Sequence, residues 1–190
     1  MPALNNPNSD KQEQREIPFS REIWIEQDDF MEEPSKKFFR LAPGKEVRLR
    51  YAFFVTCNAV IKDEDGEIVE LRCSYDPETR GGNAPDGRKV KGTIHWVSAE
   101  HAKDAEVRIY NSFYNTPSPG RERDFIEDIN PNSLEVLENC KIEPDLITLD
   151  DNIPIQFERL GYFYKDPDTK PEKHIYNRTI SLRDTWNKKL

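Results

Sequence analysis

Val47-Arg48-Leu49-Arg50-Tyr51-Ala52-Phe53-Phe54-Val55-Thr56-Cys57-Asn58-Ala59-Val60-Ile61 runs into Lys62-Asp63-Glu64-Asp65-Gly66 and then into Ile68-Val69-Glu70-Leu71-Arg72-Cys73. The first stretch is apolar and β-branched, the second is a run of turn residues, and the third is again strand-like. Two such runs joined by an Asp/Gly turn predict a β-hairpin. Within the first, Val47-Arg48-Leu49-Arg50 alternates apolar and basic. On a strand this puts both arginines on one face and both aliphatic residues on the other.

The same signature recurs outward from the hairpin. Glu22-Ile23-Trp24-Ile25-Glu26, Lys89 to Ser98 and Glu106-Val107-Arg108-Ile109-Tyr110 each predict a strand. Ile155 to Tyr164 predicts one continuous strand, with His174 to Arg183 as its partner across the Asp166–Pro171 turn. Pro77 to Asp86 and Thr116 to Arg123 are proline- and glycine-rich loops. Asp124 to Asn130 predicts a short helix, and Ser133 to Leu137 a strand or a helical turn. Many short strands separated by turns, with almost no long helix, predict an all-β chain. The expected architecture is two β-barrel subdomains with short helical segments in the connections. The division is a polar N-terminal arm or linker over 1–16, a first barrel over 17–98 and a second over 99–190, with terminal strands free to be shared between barrels.

Composition narrows the function. The chain has 190 residues, a net charge of −8, 34% charged and 11% aromatic residues. That is long enough for a real core, and the aromatics argue against disorder. An acidic total excludes a generally basic nucleic-acid coat but not one basic face. Lys36 to Arg50 is such a face: six basic residues against one acidic, with Phe38 and Phe39 among them. Lys170 to Leu190 is a second, with six basic against two acidic. Paired guanidinium groups beside aromatics suit phosphates and unstacked bases, which points to single-stranded RNA.

Enzymatic and metal chemistry find no support. Cys57, Cys73 and Cys140 lack paired spacing, and with only three histidines no zinc pattern exists; the thiols read as reduced, in a cytoplasmic protein. Asp63 and Asp65 lack the further ligand positions of a calcium loop. Gly82 and Gly87 are spaced like the ends of a phosphate loop, but Arg88 and Lys89 follow where lysine and a hydroxyl residue are required. No serine or cysteine sits in a nucleophile motif. No catalytic residue and no metal ligand is expected, so a binding module is favoured. No apolar run approaches a membrane span.

Several ordered blocks carry a family resemblance. They are Ile17-Pro18-Phe19-Ser20 with Glu22-Ile23-Trp24-Ile25, Arg40-Leu41 with Gly44 to Arg50, and Asp86-Gly87-Arg88-Lys89-Val90-Lys91-Gly92 running on to Ser98. They continue with Gln156-Phe157-Glu158-Arg159, Gly161-Tyr162-Phe163, Asn177-Arg178-Thr179 and Leu182-Arg183-Asp184-Thr185-Trp186. Together they resemble the anticodon-binding region of the glutaminyl-tRNA synthetases, the C-terminal half of class I enzymes of the Glu/Gln type. The resemblance implies two β-barrels that splay the anticodon bases and read each in its own pocket. By position it implies that Arg40 reads the third anticodon base, Arg48 and Arg50 contact the first, and Gln156 and Arg159 read the central uridine. Asn8, in the Asn-Pro-Asn arm, matches a further contact. A lysine often precedes the Arg40 position in the family, whereas Phe39 does here.

The ATP-binding motifs of class I enzymes do not occur in this sequence. The resemblance therefore implies a C-terminal piece of a longer glutamine–tRNA ligase, with Met1 an internal or engineered start. The piece is expected to be inactive alone and to need no cofactor, while the parent enzyme uses ATP and Mg. The implied partners are the tRNA for glutamine and the N-terminal catalytic domain of the same chain, with no DNA and no membrane, in a monomeric cytoplasmic protein. Two other readings stand beside it. One is the anticodon-binding barrels of an archaeal or eukaryotic type of glutamyl-tRNA synthetase, which the Gln156–Arg159 and Asp86–Gly92 blocks disfavour. The other is a protein-interaction barrel.

Overall fold

A computed structural model describes residues 1–182 of the chain, which divides into one compact unit over Met1–His101 and a second from Ala102 onward. Both are built from strands. In the first they are β1 (Pro2–Leu4), β2 (Gln14–Glu16), β3 (Ile23–Trp24), β4 (Glu46–Leu49), β5 (Phe54–Lys62), β6 (Ile68–Asp76), β7 (Thr93–Ile94) and β8 (Val97–Ser98). In the second they are β9 (Lys103–Tyr110), β10 (Leu134–Ile142), β11 (Ile155–Phe157), β12 (Gly161–Lys165) and β13 (His174–Ser181). The only helical turns among the described residues are short 3-10 segments such as Gln27–Asp29 and Phe125–Asp128. The all-β class holds. The sheets are open rather than closed: a four-stranded β6-β5-β4-β7, a five-stranded β10-β9-β13-β12-β11 and the pairs β1-β2 and β3-β8.

The β5–β6 hairpin forms where the sequence predicts it. Asp63 N–H donates to the Glu67 carbonyl, and the Asp63 carboxylate accepts from the N–H groups of Asp65 and Glu67. An aspartate that bonds its own turn needs no calcium to hold it. On β4 the period of two is clean, with Val47 and Leu49 each 1% exposed and Glu46 and Arg48 turned outward. Burying each aliphatic side chain is worth about 1.5–3 kcal/mol. These two join Leu41, Ala52, Val55, Cys57, Ile94 and Trp96 in one core, to which Ala3 in β1 and Ile17 just after β2 also belong. Trp96 is buried with its indole N–H donated to the Arg50 carbonyl at 2.9 Å, so its polar edge is satisfied.

Two expected strands are not continuous. Over Lys89–Ser98 only β7 and β8 form; β7 runs parallel to β4, whereas β8 pairs antiparallel with β3. Trp96, Val97 and Ser98 are buried in succession, which breaks the alternation one strand face requires. Ile155–Tyr164 is a hairpin of β11 and β12: Phe157 pairs with Gly161, and Leu160 N–H donates to the Phe157 carbonyl at 3.0 Å. Gly161 permits the reversal, having φ +155° and an ideal Cβ position only 2.4 Å from the Ile180 carbonyl oxygen. From Leu134 the Ser133–Leu137 stretch resolves as strand, extended through Ile142 as β10. β13 pairs antiparallel with β12, as predicted, and parallel with β9 on its other side. Ala105, Val107, Ile142, Phe163 and Tyr176 form the core of this unit. No helix among the described residues is long and apolar enough to cross a membrane.

Candidate nucleic-acid interface

In the first unit, β4 and the loop before it position the cations. Arg48 lays its guanidinium 4.9 Å from the centroid of the Phe54 ring and donates to the Asn83 side-chain oxygen at 2.8 Å. Arg50 follows immediately after β4, held by its N–H to the Ile94 carbonyl, with its guanidinium 5.2 Å from the Tyr51 ring. Tyr51 adopts φ +60°, the price of reversing the chain directly after the strand. A planar cation on an aromatic face loses little entropy when it takes up a base or phosphate.

Arg88 lies beside this pair and serves a different purpose. It bonds Glu46 at 3.0 and 3.1 Å, Asp76 at 2.5 Å and Asp86 at 2.7 Å. The Arg88 guanidinium holds the Asp76 carboxyl below the usual carboxylate range, helped by the Glu78 N–H. Asp86 is lowered too, first by the Arg88 N–H and then by its side chain. Arg88 thus ties β4, β6 and the 77–92 loop together and neutralises the carboxylate on β4.

Arg40 is largely enclosed. Its side chain is 15% exposed, donates to the Asp28 carbonyl at 2.9 Å and lies 3.5 Å from the wholly buried Asp29 carboxylate. The excursion from 31 to 40 is pinned at its base by Met31 N–H to the Leu41 carbonyl and Leu41 N–H to the Asp29 carbonyl. Arg40 lines a surface pocket of about 340 Å³, together with Lys36, Phe39, Lys45, Lys91 and Gly92. The sequence singles out Phe39 only as an aromatic of the basic run and the residue before Arg40, and gives no role to Asn83 or Lys91. The only signal for Lys91 was its place in the Asp86–Gly92 block. Asn8 is exposed in the β1–β2 connection, where its N–H donates to the Asn6 side chain at 3.0 Å.

In the second unit, Gln156 and Arg159 fall on the same hairpin. Gln156 is exposed on β11, the edge of the five-stranded sheet, opposite Tyr162. Arg159 is half-buried in the turn with φ +65°, unusual for a residue with a side chain. Both therefore lie at or beside the tip of one hairpin. The positive run from Lys170 is partly neutralised: Lys173 meets Glu106 at 2.7 Å. Arg108 meets Glu106 at 2.6 Å and Asp166 at 3.2 Å. Lys173 and then Arg108 hold the Glu106 carboxyl low. Burial opposes the charge of Asp166, but the Asp168 N–H, the Asn177 amide and Arg108 outweigh it and lower its carboxyl. Arg183, Lys188 and Lys189, and the Arg183–Trp186 part of the family blocks, lie outside the described residues.

Comparison with known proteins places the chain in a family. Two family profiles, both described as the anti-codon binding domain of class I (E and Q) tRNA synthetases, match residues 1–76 and 93–166. The chain is 57% identical over 188 residues to a glutamine–tRNA ligase of Bradyrhizobium diazoefficiens, covering 99% of the chain and 34% of the relative. A glutamine–tRNA ligase of Nitrobacter winogradskyi is 54% identical over 186 residues, 98% of the chain and 33% of the relative. One of Aliivibrio fischeri is 51% identical over 183 residues, 96% and 33%. The chain spans about a third of the length of the curated relatives it matches.

Proposed function

Because the chain belongs to the anticodon-binding part of the class I glutamate and glutamine tRNA synthetases, we propose that it reads the anticodon of a glutamine tRNA. The whole enzyme then attaches glutamine to that tRNA with ATP and Mg held on its catalytic domain, which is the chain's second partner. The observation that carries the reading is the end of β4, where Arg48 and Arg50 stand outward on aromatic rings beside a basic pocket. Unstacked bases are recognised by such planar donors and rings, and phosphates by the surrounding charge. Arg48 and Arg50 take the first anticodon base, Arg40 the third, and Gln156 with Arg159 the central one, with Asn8 a further contact. The relatives named above are glutamine enzymes, which favours glutamine over glutamate specificity. The protein works as a cytoplasmic monomer without DNA or membrane.

Filter binding of purified glutamine tRNA across a salt series tests this. The affinity falls with salt, by about 0.7 in the log–log slope for each phosphate met on a single-stranded loop. A flat salt response, or equal affinity for tRNAs with unrelated anticodons, refutes it. ATP–pyrophosphate exchange by this chain alone stays at background.

A further inference from the structure

The pocket beside β4 contains a feature that charge alone does not explain. Phe39 is 51% exposed among cations, so a large apolar ring stays half in water instead of reaching the core. The Lys91 ammonium sits 5.0 Å from the centroid of its ring. Lys36 and Lys45 also line the pocket, and neither they nor Lys91 enters an ion pair among the described residues. The carboxylate at the rim, Glu46, is already bound by Arg88. The loop carrying Phe39 approaches the opposite wall so closely that a Cβ on Gly92 would lie 2.1 Å from the Phe39 carbonyl oxygen. The Gly92 carbonyl in turn accepts the Arg48 N–H at 2.9 Å, so the Phe39 backbone abuts the segment bonded to the strand that carries the outward arginine.

We propose that the Phe39 ring, backed by Lys91, is a stacking platform for one unpaired nucleobase, with Lys36 and Lys45 placed for the phosphates beside it. The proposal rests on the anticodon reading and adds to it the means by which the pocket holds a base without depending on its identity. A base offers an apolar face to the ring and leaves its edge for Arg40 on the pocket wall. Lys91 on the ring strengthens the site through the aromatic quadrupole and adds positive charge near the backbone. A pocket of about 340 Å³ is at the lower end of the range that holds small ligands, about 300–1,000 Å³.

The test uses the chain with an anticodon stem-loop RNA of glutamine tRNA carrying 2-aminopurine at one loop position at a time. A single-stranded hexanucleotide carrying the same base is tested in parallel. Binding to the unaltered protein quenches the fluorophore at one loop position. Phe39→Leu relieves that quenching and weakens binding about tenfold, whereas Phe39→Trp retains both. Lys91→Met weakens binding and lowers the salt slope by about 0.7. Phe39 is half exposed, so the melting temperatures of these variants stay near that of the parent. If Phe39→Leu keeps the quenching and affinity of the parent, the platform is refuted. If only the hexanucleotide binds and its quenching depends on Phe39, the platform stands and the anticodon reading falls. If neither RNA binds, both fall.

Discussion

Arg40 and Arg48 hold their charge in two different ways. Arg40 is the counter-charge of Asp29, a carboxylate with no exposure at all. Arg48 rests on a ring and on one amide oxygen. Removing one partner of a buried pair leaves the other desolvated, which costs about 3–5 kcal/mol, whereas an exposed cation over an aromatic ring is worth about 0.5–1 kcal/mol. Arg40→Ala is therefore expected to destabilise the first unit by about 3 kcal/mol, with much of the loss restored by adding Asp29→Asn. Arg48→Ala changes stability by about 1 kcal/mol or less while weakening RNA binding. Urea denaturation of the three variants checks this. Equal losses for Arg40→Ala and Arg48→Ala contradict it.

At the scale of elements, the β5–β6 ladder sets Cys57 opposite Cys73. The Cys57 carbonyl accepts from Gly44 N–H on the other side, so the two cysteines form a non-hydrogen-bonded pair. Such pairs bring Cα atoms to about 4.5 Å, inside the range a disulfide spans. Burial and the facing Cys57 push the Cys73 thiol up to about 12, and burial raises Cys57 as well. Neither is a ready thiolate at neutral pH. Diamide, which takes the two hydrogens and becomes a hydrazine, is expected to close a Cys57–Cys73 disulfide slowly, and faster as pH rises. Mass spectrometry reads the loss of two hydrogens and the linked peptides. A bridge to Cys140 instead, or none at any pH, contradicts the register. This hairpin was legible because Asp63 and Gly66 announce the turn between two β-branched runs. The β11–β12 hairpin was not, because its turn uses Glu158, Arg159 and Leu160, none a strong turn former, and Gly161 enters only at the exit. Arg48 was legible from alternation within β4. The Phe39–Lys91 contact was not, since it joins residues far apart along the chain and Lys91 looked like any outward strand lysine.

Over the whole molecule, several carboxylates are anchored by cations and N–H groups. Asp76, Asp86, Glu106, Asp128 and Asp166 all have carboxyls held below their ordinary range by N–H groups and cations. Their folded-state values lie below the unfolded ones, so the unfolded chain binds more protons through the acid range. The stability they supply is present above the unfolded carboxylate range, about pH 4, and is lost as pH falls below it. Thermal melts are expected to be level from neutrality to about pH 5 and to drop steeply below about pH 4. Stability that holds or rises on acidification contradicts this.

The central claim is that base identity is read by residues of this chain, and Arg159 tests it most directly. A wrong base leaves a planar donor unpaired and costs about 1–3 kcal/mol. Affinities are measured for glutamine tRNA and for versions with each other base at the central anticodon position, using the parent chain, Arg159→Ala and Lys89→Ala. Lys89 is exposed and outside the proposed contacts. The predicted result is that the parent and Lys89→Ala prefer the central uridine by about tenfold or more, while Arg159→Ala loses that preference and keeps its melting temperature. If Arg159→Ala retains the preference, or loses it only together with the fold, Arg159 serves structure rather than reading.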